Sequence, residues 1–310
     1  MTTTLFYVIA YVAILGFFGL ILCKARAYVT ASPIHFRWEL YEVPHEGAKA
    51  AYGGSFMEET EWWNKPRHVD HWGDMKALLQ EVLCLHATFK HNFPLWLRTY
   101  PFHFGLYFLM GGAFLVFLTA LLTLADAGNS GFTIFLLNII NVISLLGCLG
   151  IMGGGIALIY RRLDDEGLAK YSTFEHFFNL GAFVAYAAVG VGAWVVCPSF
   201  AQQGCTFMVN LLTGNLEPLT SSAFTLHLLI GFVLMLWIPA THMGHILGKY
   251  FMYHDIRWGD TPTVFSRENQ KAIGEVLQLK TSWSAEHITG GRGAKSWVDI
   301  ATTNPTQDAK

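Results

Sequence analysis

The chain has 310 residues, a mean hydropathy of +0.38 and only 14% charged residues, where a soluble protein of this size carries roughly a quarter. Its net charge of -2 is uninformative, because the charges are segregated and not spread along the chain. There is no phosphate-binding glycine loop, nucleophile elbow or basic stripe for nucleic acid, and the basic residues follow the loops instead.

The apolar runs are Leu5–Cys23, Tyr100–Leu124, Phe132–Tyr160, Phe174–Val196 and Ala223–Leu247. Each approaches or exceeds the roughly 20 residues a helix needs to cross a bilayer. Uninterrupted apolar runs exclude a barrel, so the expected fold is an all-α bundle of five transmembrane helices. Lys24 to Arg98 holds nine basic residues, Arg161–Ser172 three, and Lys249 to the end eight. The N-terminus, the Asp126–Gly131 turn and the Val195–Ser222 loop hold none. The positive-inside rule then puts the N-terminus outside and the C-terminus in the cytoplasm. The first span has no basic residue before it and Lys24 and Arg26 after it, so it reads as a retained helix, not a cleaved signal peptide.

Four regions follow: a first span over residues 1–24, a cytoplasmic insert over 25–98, a four-helix core over 99–248 and a polar tail over 249–310. The insert is too long for a simple connector. Met75, Leu78, Leu79, Val82, Leu83, His86 and Phe89 give it an amphipathic helix. With Trp62, Trp63, Trp72 and Trp96 it suits the membrane surface or a partner. The loop after the fourth span is short on charge, and a small interfacial turn is expected in it. Its Cys197 and Cys205 could form a disulfide in an oxidising compartment, a pairing left open. Cys23, Cys84 and Cys148 lack metal-ligand spacing.

Ionisable residues inside a membrane are costly and mark function. Here they are almost entirely histidines. His227 and His245 stand 18 residues apart, five turns of a continuous helix, which would put both on one face about 27 Å apart. They therefore serve two levels of the bilayer and not one metal. His103, near the start of the second span, lies at the depth of His245. Two imidazoles from neighbouring helices, one on each face of a porphyrin, make a six-coordinate iron that moves single electrons. Gly105, Gly111, Gly112 and Gly153–Gly155 either leave room for that macrocycle or let helices pack closely.

The frame His227, Gly231, Pro239 and His245 resembles the last helix of the gamma subunit of respiratory nitrate reductase, a dihaem cytochrome b. Phe102-His103-Phe104-Gly105 is similar to that family's first haem-ligand motif, and Arg161-Arg162 fits as well. The likeness covers the five-helix core, about half the chain. Trp38-Glu-Leu-Tyr41, Pro44-His45-Glu46, Tyr52-Gly-Gly-Ser55, Trp62-Trp63, Lys65-Pro66-Arg67 and Pro101-Phe-His-Phe-Gly-Leu106 look closer to one branch. That branch comprises membrane cytochromes in redox complexes of sulfate-reducing and related anaerobic bacteria. The resemblance implies haem b, one or two per chain, in a bacterial inner-membrane protein of anaerobic respiration. It also implies a cytoplasmic iron–sulfur subunit of the heterodisulfide-reductase type, often a periplasmic multihaem cytochrome c, and a quinone, with menaquinone a candidate.

One departure concerns the outer level. The family has a second histidine ten residues after the first, where this chain has Ala113. His227 is then an axial ligand with an unusual partner, for which Met110 is nearest, or a five-coordinate ligand, or a quinone contact, or an interhelical histidine. His242 is an alternative inner ligand. His176 is a candidate for a haem propionate or a quinone, or an interfacial histidine. His68, His71, His86 and His91 make a weak case for zinc. His35, His45, His254 and His287 suit a docking surface. The function expected is electron transfer between the quinone pool, or a periplasmic cytochrome, and a cytoplasmic partner, with little turnover alone. The alternatives are a haem-free membrane anchor and a proton channel or transporter.

Overall fold

The computed structural model describes residues 2–30, 59–65, 71–248, 267–280 and 295–302. His35, His45, His68, His254, His287, the Trp38–Tyr41, Pro44–Glu46 and Tyr52–Ser55 segments, Pro66-Arg67 and the Gly290–Gly293 stretch lie outside them. Among the described residues the chain is helical and contains no strand, only an isolated bridge between Lys280 and Ser296.

Five helices are long and apolar enough to cross a membrane. They are α1 (Thr3–Thr30), α4 (Phe93–Leu124), α5 (Gly131–Asp164), α7 (Phe174–Val196) and α9 (Ser222–Ala240). This is the architecture of a multi-pass membrane protein. Between them lie α2 (His71–Cys84), α3 (His86–His91), α6 (Glu166–Tyr171) and α8 (Phe200–Thr213). In the tail stand α10 (Arg267–Leu277) and α11 (Trp297–Thr302).

The chain divides into two compact units. The first, Met1–Cys23 with Leu79–His245, is the helix bundle; the second joins Lys24–Leu78 to Ile246–Lys310. Within the second, Lys65 pairs with Glu59 at 3.0 Å and Ser296 caps α11 through Asp299.

Within the bundle, α4 packs on α5, α5 on α7 and α7 on α9. The α4–α5 contact is glycine-made. A Cβ on Gly154 would fall 2.5 Å from the Phe102 nitrogen, and one on Gly105 would fall 2.6 Å from the Gly147 carbonyl oxygen. Backbone therefore lies against backbone, the small-residue packing that helices use in lipid. Gly105 and Gly154 thus serve close packing rather than room for a macrocycle. Gly111 and Gly153 face open space. Outward side chains such as Leu15, Phe114 and Val233 are exposed apolar groups suited to lipid.

Two sequence expectations change at α2 and α8. The amphipathic helix of the insert breaks at Leu85, whose φ of 52° is left-handed. The Glu81 carboxylate then accepts from the Ala87 N–H at the start of α3. The loop after the fourth span holds a full helix, α8, and more than a small turn. Its buried face carries Phe200, Cys205, Phe207 and Asn210. Asn210 donates to the Tyr7 hydroxyl (2.9 Å), which donates to the Glu217 carbonyl (2.8 Å), tying α1 to α8.

No disulfide joins Cys197 to Cys205; both are free thiols. Cys197 ends α7 with its sulfur near Ser199, while Cys205 sits in α8 against the Thr123 hydroxyl. The two sulfurs are committed to different neighbours.

Candidate functional site

The helix carrying His227 does not run unbroken to His245. Pro239 brings no N–H to the last turn of α9, and Thr241 leaves the helix in an extended conformation (φ -113°, ψ -179°). A short 3-10 turn, His242–Gly244, follows, started by the Thr241 hydroxyl accepting from the Met243 N–H. The expected five-turn register between His227 and His245 is therefore lost. Their directions are set separately, and five histidines of the bundle fall into three groups.

The first group is His103 and His245. Their ring centroids lie 6.1 Å apart with planes inclined at 64°. His103 Nδ1 lies 2.9 Å from the Thr99 carbonyl oxygen and 3.1 Å from the Thr99 hydroxyl. His245 Nδ1 lies 3.2 Å from the His242 carbonyl oxygen. A carbonyl only accepts, so each Nδ1 carries the proton and each Nε2 the lone pair. Metal-ligating histidines are oriented in this way, by a hydrogen bond from the other ring nitrogen. The spacing fits as well. Two imidazoles bonded at about 2 Å to one iron, with about 1 Å more from nitrogen to ring centre, stand about 6 Å apart. In separation and in Nδ1 anchoring the two residues match an axial pair on a haem iron.

The second group is His176 and His242. His242 Nδ1 lies 3.0 Å from Glu175 Oε1, and its ring centroid is 5.3 Å from that of His176. His176 Nδ1 accepts from the Thr173 N–H at 3.1 Å, closing a capping box at the start of α7. With its Nδ1 tied to Glu175, His242 partners His176, while His245 partners His103. Arg162 stands nearby and donates to the Ser172 hydroxyl at 3.1 Å. One turn further into α7, Asn179 is buried and accepts from the Trp237 indole N–H at 2.6 Å.

The third group is His227 by itself, 5% exposed and stacked on Tyr186 at 4.4 Å. Phe200 and Phe224 close around it. A Cβ on Gly190 would lie 2.8 Å from its Cε1 and 3.0 Å from its Nδ1. That Nδ1 is buried without a hydrogen-bond partner. The ring's hydrogen bond runs to the Tyr186 main chain and not from Nδ1, and the Tyr186 ring covers one of its faces. Met110 is 65% exposed on the surface of α4, so the structure does not bring it to the enclosed His227. Ala113 is exposed too. These surroundings are those of a packed interhelical histidine.

Among the described residues no group of three His, Cys, Asp or Glu side chains converges as a metal site would require. A haem iron asks the protein for only two. The Glu175–His242 contact and the buried Asn179–Trp237 bond were not singled out in the sequence. Asn179 was legible in principle, as an amide inside an apolar run.

The chain matches no known family model, no characterised protein and no solved structure.

Proposed function

We propose that the chain is a membrane cytochrome b subunit that holds one b-type haem between His103 and His245. In this reading it passes electrons between the quinone pool and a cytoplasmic iron–sulfur partner. The observation that carries the reading is the 6.1 Å His103–His245 pair, with each Nδ1 held by a main-chain carbonyl. Haem bound there supplies one-electron transfer at an iron with both axial positions filled. The protein's residues orient that pair, keep water out and set the polarity around it.

Thr99 and the 3-10 turn after Thr241 do the orienting. Phe102, buried beside His103, and the packed Gly105 and Gly154 keep that stretch of α4 rigid against α5. The basic loops support a cytoplasmic position for this end of the bundle, in this reading within a bacterial inner membrane. The resemblance to the nitrate reductase gamma subunit and its relatives in anaerobes supports the same assignment. It adds the heterodisulfide-reductase-type partner and the periplasmic cytochrome c as proposals. A haem-free anchor is the second reading, favoured only by Ala113 standing where the family has a ligand.

Pyridine-haemochrome quantitation of the purified chain tests the reading. One haem b per chain is expected, and none would leave the anchor. Two would return His227 to the role of ligand.

A further inference from the structure

We propose that Cys148 and His227 form a two-coordinate site for a soft monovalent cation, Cu(I), where α5, α7 and α9 meet. The site goes beyond the haem reading and uses neither His103 nor His245.

An orphaned nitrogen carries the argument. His227 is 5% exposed, and its Nδ1 is buried with no hydrogen-bond partner. The ring's one hydrogen bond runs to the Tyr186 main chain. A carbonyl only accepts, so that bond takes the ring proton and Nδ1 keeps its lone pair. Ligating histidines are oriented in this way, with the far N–H held by a carbonyl and the near nitrogen free.

The free nitrogen and the Cys148 sulfur face one small space. A Cβ on Gly190 would lie 2.7 Å from that sulfur and 3.0 Å from His227 Nδ1. Metal–donor bonds of roughly 2.0–2.3 Å put two donors bridged by one ion about 4 Å apart, a separation these contacts allow. Cys148 is 1% exposed, yet its thiol makes no hydrogen bond to the nitrogen beside it. A cysteine that serves only as a small apolar filler needs no such neighbour.

The donor set selects the ion. Thiolate is a soft ligand that favours Cu(I) and zinc. Zinc asks for three or four ligands, and among the described residues no third His, Cys, Asp or Glu converges with these two. Charge points the same way. Coordination deprotonates the thiol, so one thiolate, one neutral imidazole and one Cu(I) sum to zero. A divalent ion would leave a net positive charge among Ile151, Ala187 and Phe224, where an unpaired charge is costly. Uptake moves no electron: copper arrives as Cu(I), Cu–S and Cu–N bonds form, and the Cys148 proton leaves to water.

The test uses the full-length protein in detergent under argon. Cu(I) is supplied as its acetonitrile complex with bicinchoninate competing, and bound copper and haem are measured on the same samples. Cys23→Ser and Cys84→Ser are carried throughout, because exposed thiols take up copper on their own. One copper per chain should survive the chelator. Cys148→Ser and His227→Phe should each weaken its binding at least tenfold with haem content unchanged. Cys148→Ala should do the same without adding a hydroxyl, which keeps the test open should the serine variant misfold. X-ray absorption of the bound copper should show one sulfur and one nitrogen. Copper held equally well by the Cys148 and His227 variants, none held by the parent protein, or a sulfur-only shell would overturn the site. So would a second haem per chain that is lost with His227→Phe. Haem-free protein that holds copper in the expected pattern would sink the electron-transfer reading and leave this site.

Discussion

His103 and His245 are 142 residues apart in the chain and their rings lie 6.1 Å apart at one end of the bundle. The juxtaposition depends on the helix break at Thr241. Beyond it a 3-10 turn, and not a continued α9, sets where His245 points. The same turn sends His242 to Glu175. Two histidines one helical turn apart in sequence are thereby given different partners.

His227 is expected to be dispensable for haem. Its Nδ1 is buried and unpartnered, and such a group costs on the order of 1–3 kcal/mol. His227→Phe, which keeps a flat ring against Tyr186, should leave haem content unchanged and stability equal or higher. Haemochrome assay and a thermal melt in detergent check this. Loss of about half the haem would make His227 a ligand after all.

The glycine contacts between α4 and α5 make a contrast within one family of substitutions. Gly154→Ala puts a methyl 2.5 Å from the Phe102 nitrogen, and backbone cannot step aside cheaply. Gly111→Ala meets nothing within 4 Å. The first should destabilise by about 1–3 kcal/mol or more, as overpacking does, and the second should be near neutral. Midpoints of thermal aggregation of the detergent-solubilised variants decide it.

The two Tyr7 hydrogen bonds should be worth about 0.5–1.5 kcal/mol each, since Tyr7→Phe leaves only the 3.4 Å bond from Asn210 to the Glu217 carbonyl. Asn210→Leu on top of Tyr7→Phe should cost less than the sum of the single changes. Additive melting shifts would mean that the two residues are not coupled.

The thiols offer a chemical check on the junction of α7 and α8. With Cys197 and Cys205 apart, all five cysteines should alkylate in denaturant without a reductant. Intact mass spectrometry should show five adducts. Three adducts, with two more after reduction, would restore the disulfide.

The spans were legible in the sequence because lipid demands long apolar runs, and Phe174–Val196 matches its predicted bounds. The break at Thr241 was not. Pro239 was visible, but a proline in a spanning helix is often accommodated by its surroundings, so it does not by itself foretell a new direction. The α8 helix was hidden because its short apolar face, broken by Gln203 and Asn210, reads like a polar loop. The histidines announced a site; which pairs with which depended on Thr99, Thr173 and Glu175, ordinary residues whose roles appear only in three dimensions.

The most direct test is a reduced-minus-oxidised visible spectrum of the purified chain beside His103→Ala, His245→Ala and His242→Ala. A six-coordinate b-type spectrum should appear in the wild type and in His242→Ala, and should be lost in both other variants. Haem retained in His103→Ala or His245→Ala, or lost in His242→Ala alone, would contradict the assignment of the iron to His103 and His245.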